Sequence, residues 1–226
     1  MAFVQHLDKP ADAALQDRLQ QLALEHFNAL SALPLPDNNA LKPLYQYVLG
    51  FELHRYLERM QHAHHAKPQL VLAWAEENCE HLIGFALYLP SVNNHQACTV
   101  LQLLVLGPWR GSKIAEQMLS TITSRYPHTQ VACRADQADF FVHKGFYPHK
   151  AHGPQVLLST QPEPVNGSFS IEPLEPIFAS KEVRQIYTYV LKQQGQLALK
   201  AAEINRDQLL KQLAEQAQSW FRSWVN

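Results

Sequence analysis

The stretch 100–119 restricts the fold more than any other part of this chain. It opens on an apolar run, Val100 to Leu106, short enough to be a strand buried on both faces. Gly107-Pro108 breaks the run, because proline has no N–H to give to a ladder. After Trp109-Arg110-Gly111-Ser112 the spacing becomes helical, with Ile114, Met118, Leu119 and Ile122 on one face. A buried strand, a tight basic turn and a helix start together make a place to hold an anion. The first amides of a helix have no internal partner, and the macrodipole adds roughly half a positive charge there. Arg110 and Lys113 add two full charges beside them. By physical reading this is a phosphate site, although strand-turn-helix units without ligands are common.

Composition narrows the class. A chain of 226 residues, 46% of them hydrophobic, is long enough for a sizeable core in one domain or one domain with an appendage. Nineteen basic and twenty acidic residues leave a net charge of -1, without the basic footprint of a nucleic-acid binder. No segment approaches the roughly 20 apolar residues of a membrane span, and MAFVQHLDKP does not read as a secretory signal. Cys79, Cys98 and Cys133 are odd in number and widely spread, as reduced thiols of a cytoplasmic protein are.

In chain order, Phe3 to Leu7 reads as an edge strand, and Asp12 as the N-cap of a helix striped by Leu15, Leu19, Leu22, Ala23, Phe27 and Leu30. A second helix runs from about Asn39 to Met60. His62, His64 and His65 follow it, with His54 two turns earlier; no cysteine or carboxylate at ligand spacing joins them, so a solvated helix end is expected rather than a metal site. Gln69 to Ala75 and His81 to Leu89 form a hairpin through an acidic link, Glu76 to Glu80. Beyond the central strand come a helix from Ser112 to Ser124, a strand from Thr129 to Arg134, and a short helix, Gln137 to Lys144, capped by Asp136 and closed by Gly145. Tyr147 and Gln155 to Ser159 supply closing strands. The proline-rich segment Gln161 to Gly167 is a linker. Ser168 to Ile171 reads as one more strand, and helices follow at Ser180 to Gln194 and about Arg206 to Trp224. Leu209, Leu210, Leu213, Ala217, Trp220, Phe221 and Trp224 lie on one side of the last helix. That stripe either packs back on the chain's own domain or joins a second copy in a homodimer.

Two segments carry a resemblance. Val105-Leu106-Gly107-Pro108-Trp109-Arg110-Gly111-Ser112-Lys113-Ile114-Ala115 resembles the pyrophosphate-binding signature of the GNAT superfamily of acyl-CoA-dependent N-acyltransferases, Arg/Gln-x-x-Gly-x-Gly/Ala. Arg110 and Ala115 match its ends, and Lys113 stands where the middle glycine is usual. Ala138 to Phe146 is similar to the family's late helix and closing Gly-Phe. The resemblance covers about Val71 to Leu158. It implies an α/β (α+β) fold: a mixed, mostly antiparallel sheet with a V-shaped split, flanked by helices, in residues 1–160. Residues 161–226 would be a mainly helical C-terminal extension. It also implies acetyl-CoA as acyl donor, no metal, and a small-molecule or peptide amine as acceptor. Leu104, Val105 and Leu106 would line the pantetheine, a role compatible with plain core packing. Gly111, Ser112, Lys113, Ile114, Ala115 and Glu116 would meet the pyrophosphate beside Arg110, with Phe140 and Phe141 completing the cofactor set.

The catalytic groups are less legible. In the family a backbone amide of the central strand polarises the acyl carbonyl, and Val105 or Leu106 is nearest that role. Many members protonate the leaving thiolate with a tyrosine where this chain has Phe141. Ala135 stands where an asparagine is often found, and Gln102 where a carboxylate is frequent. Substitutes are His143 and Tyr147 flanking the Gly-Phe turn, His95 before the central strand, and Cys133. With 12 histidines in the chain, chance proximity competes with each of these. Two functions follow: an N-acetyltransferase, or a catalytically weak or inactive CoA-binding module serving regulation or interaction. A structural subunit assembled through the C-terminal helices is a third.

Overall fold

The computed structural model describes residues 2–7, 9–62 and 66–225. Seven strands, β1 (Phe3–Leu7), β2 (Gln69–Trp74), β3 (Leu82–Pro90), β4 (Ala97–Val105), β5 (His128–Cys133), β6 (Tyr147–His152) and β7 (Gln155–Ser159), form one sheet in the order β1-β2-β3-β4-β5-β7-β6. Every neighbouring pair is antiparallel except β4 and β5. β3 and β4 lie at the centre and carry near-continuous apolar runs, as strands covered on both faces must.

Helices sandwich this sheet. On one face lie α1 (Ala13–Glu25), α2 (Phe27–Leu30) and α3 (Lys42–His62), whose Leu19, Leu22, Leu53, Tyr56 and Leu57 bury against Leu70, Leu72, Phe85 and Leu87. Asp12 caps α1 as expected, its Oδ1 accepting the Leu15 N–H at 2.8 Å. On the other face, α4 (Ile114–Arg125) and α5 (Ala135–Val142) bury Ile114, Met118, Leu119, Ile122, Ala138 and Phe141. The central approach is close: a Cβ on Gly84 would stand 2.6 Å from the Leu104 carbonyl oxygen, so only glycine lets β3 run against β4 there.

The C-terminal third departs from the expectations. Ser168 to Ile171 is not a strand. It straps across the ends of other elements, with Val92 N–H donating to Ser168 O at 2.8 Å and Arg59 Nη1 to Ser170 O at 2.7 Å. A short helix, α6 (Leu174–Phe178), follows in a segment to which the sequence reading assigns no element. α7 (Lys181–Val225) contains a sharp break at Gly195, whose φ of 81° and ψ of 163° belong to glycine alone. The second arm therefore begins at residue 196, not near Arg206. The chain doubles back there: Tyr187 Oη donates to Glu203 Oε1 at 3.0 Å, whereas 16 residues of straight helix would span about 24 Å. Val190, Leu199, Ala202 and Leu213 of this helical hairpin share a core with Phe27, Leu35, Leu41 and Leu49, and Ala217 joins the core under α4 and α5.

Candidate functional site: the split between β4 and β5

The parallel pairing of β4 with β5 lasts four residues, from Ala97 opposite His128 to Val100 opposite Val131. At that point β4 carries a bulge: Gln102 pairs with Leu87 and Val100 with Tyr88, leaving Leu101 as the extra residue. A bulge bends its strand and disturbs the ladder. It also exchanges the faces. Cys98 and Val100 lie in the core under α4, whereas Leu104, an even residue past the bulge, lies in the core under α1 and α3. Leu101 pairs with neither neighbour, from Gln102 to Val105 the strand pairs only with β3, and the other edge is open throughout.

The opening is a cleft of about 880 Å³, lined on one wall by Val100 to Val105 and on the other by Val131 to Arg134. Its basic end is the turn after β4. Gly107–Trp109 form a single 3-10 turn, and Gly111 and Lys113 follow at φ of 81° and 62°. Lys113 N-caps α4 in the left-handed conformation with no side-chain cap, and the first intrahelical bond of α4 runs from Gln117 N–H to Lys113 O at 3.0 Å. The amides of Ile114, Ala115 and Glu116 precede it, as free helix-start amides. Arg110 donates through Nε to Val105 O at 3.1 Å. Neither Arg110 nor Lys113 has an ion-pair partner within 4 Å among the described residues. Glu116 is paired with Lys144 at 2.7 Å, which holds its carboxyl below the usual range.

At the other end, residues 28–32, the close of α2 and the loop after it, cover the cleft. Arg134, 7% exposed, ties that cover down: its Nη1 donates to Asn28 O at 3.1 Å and Ser31 O at 2.7 Å, and Nε and Nη2 meet Asp136 at 3.0 and 3.1 Å. Gln137 donates to Ala29 O at 2.9 Å and accepts the Arg134 N–H. The N-cap of α5 is thus Arg134, whose backbone N–H donates to Gln137 Oε1 and whose carbonyl accepts the Gln137 N–H at 3.0 Å. Asp136 is not the cap; it lies inside the first turn as the partner of the arginine.

Of the residues singled out in the sequence, Leu104, Val105, Arg110, Gly111, Lys113, Ile114, Ala115, Glu116, Phe140 and Phe141 line the cleft, and Leu106 and Ser112 do not. Leu106 packs under α1 and α3 instead. His143, Tyr147 and His95 are exposed and line no part of it. His95 precedes the other end of β4, and His143 holds Asp139 O through Nδ1 at 2.6 Å. Cys133 does line the cleft, but burial pushes its thiol up to about 12, so it is neither thiolate nor base. Among the described residues no histidine or tyrosine lines the cleft. His64 and His65 lie outside the described residues; His54 packs against Phe51 at 5.9 Å. Among the described residues no group of three or more His, Cys, Asp or Glu is placed to hold a metal ion, and no helix is long and apolar enough to cross a membrane. The sequence reading missed Arg134, Gln137 and residues 28–32, because their roles arise from contacts more than 100 positions apart.

No protein-family model matches the sequence, and no curated protein matches it. Solved structures do match in shape. A GNAT-family protein from Desulfovibrio desulfuricans is 13% identical, with 70% of this chain and 98% of that one superposed at a TM-score of 0.51. The PaiA N-acetyltransferase of Thermoplasma acidophilum, solved with coenzyme A, is also 13% identical, over 70% of this chain and 99% of its own, at a TM-score of 0.50. In strand order, in the split beside its one parallel pair, and in likeness to these structures, the chain has the fold of the GNAT superfamily.

Proposed function

We propose that this chain is an acyl-CoA-dependent N-acyltransferase that uses acetyl-CoA as donor and a primary amine as acceptor. The observation that carries the reading is the unpaired edge of Leu101 to Val105, running directly into the uncapped start of α4. The residues fit the donor. An arm bearing amides adds to that edge as a strand would. The free amides at 114–116, with Arg110 and Lys113, suit phosphates. The complex of the Thermoplasma structure with coenzyme A supports the same reading.

The donor supplies an activated thioester. The amine nitrogen forms a bond to the acyl carbon, the carbon–sulfur bond breaks, the nitrogen loses a proton and the departing thiolate gains one. This chain's residues bind and orient the reactants, and alignment alone accelerates such a step greatly. With neither histidine nor tyrosine lining the cleft, solvent takes and returns the protons. The rate of acetylation should then climb with pH up to the amine's own pKa, without an inflection near 6–7 from the protein.

The same absence, with Phe141 in the usual tyrosine position, favours a second reading: a module that binds CoA without turning it over. Acetyl-CoA at a hundredfold excess over its Kd should stabilise the fold by about 2.7 kcal/mol, read as a shift of the melting curve. A folded protein that shows no shift at millimolar acetyl-CoA would overturn both readings. Thiol release with a panel of amines decides between them.

A further inference from the structure

Gln102 lies in the bulged part of β4, is 6% exposed, and forms part of the cleft wall. Its side-chain oxygen Oε1 is the only buried side-chain nitrogen or oxygen without a hydrogen-bond partner among the described residues. Native folds rarely leave such an acceptor unmet, and each exception calls for an explanation. The terminal torsion of glutamine is broad, so this amide turns at little cost.

Its surroundings say what would meet it. The polar groups near the cover are already engaged: Arg134 with two carbonyls and Asp136, Gln137 with Ala29 O and the Arg134 N–H. The Arg134–Asp136 pair leaves no net charge there, and Leu30, Ala32, Leu101 and Leu103 supply apolar wall. The unpaired cations, Arg110 and Lys113, belong to the opposite end. Gln102 stands three positions before Val105, whose carbonyl Arg110 holds, about 10 Å at strand rise, so the oxygen is out of hydrogen-bond reach of that end of the cleft.

We infer that Gln102 determines acceptor specificity. Its Oε1 accepts an N–H of the incoming primary amine, and the subsite takes an alkyl or aryl amine whose body is otherwise uncharged. This rests on the acyltransferase reading. A neutral oxygen suits that role, because it holds the neutral, nucleophilic amine without favouring the ammonium as a carboxylate would.

The test uses the full chain, acetyl-CoA, and three probe amines: phenethylamine, phenylalanine (an added carboxylate) and agmatine (a second cation). Gln102→Met keeps the length and removes the orphan oxygen. The variant should bind acetyl-CoA as before by calorimetry, melt about 2–4 °C higher without ligand, and show a KM for phenethylamine raised about tenfold. Gln102→Glu, which keeps an acceptor oxygen, should hold that KM within about threefold and move the preference toward agmatine. The wild type should prefer phenethylamine to both other amines. An unchanged KM in Gln102→Met would overturn the inference. So would a loss of acetyl-CoA affinity, which would assign the oxygen to the donor, or a lower melting point, which would make the amide structural. Acetyl-CoA binding with turnover of the charged amines alone would refute the acceptor class and leave the acyltransferase reading standing. Failure to bind acetyl-CoA would remove that reading itself.

Discussion

Glu52, in α3, shows how a single residue couples the C-terminal strap to the body of the protein. Burial, and then the neighbouring Glu172 carboxylate, push its pKa up to about 7. Glu172 is itself ion-paired with Arg59 at 2.9 Å and Arg55 at 3.9 Å. Between about pH 4.5 and 7 the unfolded chain gives up the Glu52 proton while the folded chain keeps it, so folding stability falls as pH rises through that window. Glu52→Gln should therefore be more stable than wild type by about 1–3 kcal/mol at pH 8 and no more stable at pH 4, measured from urea midpoints. An equal gap at both pH values would rule out the titration. At this scale the sequence was readable where a residue belongs to a local motif, as Arg110 and Gly111 do, both of which line the cleft. It was silent on Glu52, on the contacts of Arg134 and on the unmet oxygen of Gln102, which it marked only as standing where a carboxylate is frequent; their character comes from burial and from partners far along the chain.

Elements were legible where periodicity decides them. The strands of the sheet, the stripe of α1 and the helix after the basic turn all follow from spacing. The bulge at Leu101 did not, because register belongs to a pair of strands and no single strand encodes it. α6 spans only five residues, too few to show a period, with one proline at its N-cap and one in its first turn, where a helix tolerates them. The final arm of α7 was expected to bury its whole aromatic stripe, and it does so unevenly. Leu213 and Ala217 are buried and Leu210 and Trp224 largely exposed, while Trp220 is half-buried, its indole N–H donating to Asp139 Oδ1 at 2.9 Å. Trp220→Ala should then cost about 2–3 kcal/mol, below the 3–5 typical of a fully buried tryptophan, and Trp220→Phe about 1 kcal/mol for the lost hydrogen bond. A cost under about 0.5 kcal/mol for the alanine change would show that this end of α7 is not held by the ring.

Across the whole molecule, the helices after the strap complete a core that the first helices leave open. Phe27, Leu35, Leu41 and Leu49 are buried by Val190, Leu199, Ala202 and Leu213, so the helices beside the covered end of the cleft lean on the tail. That closure depends on Gly195. A Cβ there would meet nothing within 4 Å, so the barrier to any other residue is purely torsional. With alanine, the straight path costs less than the reversal, and the last 30 residues become a rod about 45 Å long pointing away from their own body. Two such chains recover every buried contact by trading rods, each closing the other's core. Gly195→Ala should therefore sediment as a dimer at micromolar concentration with an unchanged circular dichroism spectrum; a monomer of wild-type stability would refute the exchange. The torsions of one glycine thus decide whether the last arm closes the core of its own chain or is left to reach for another.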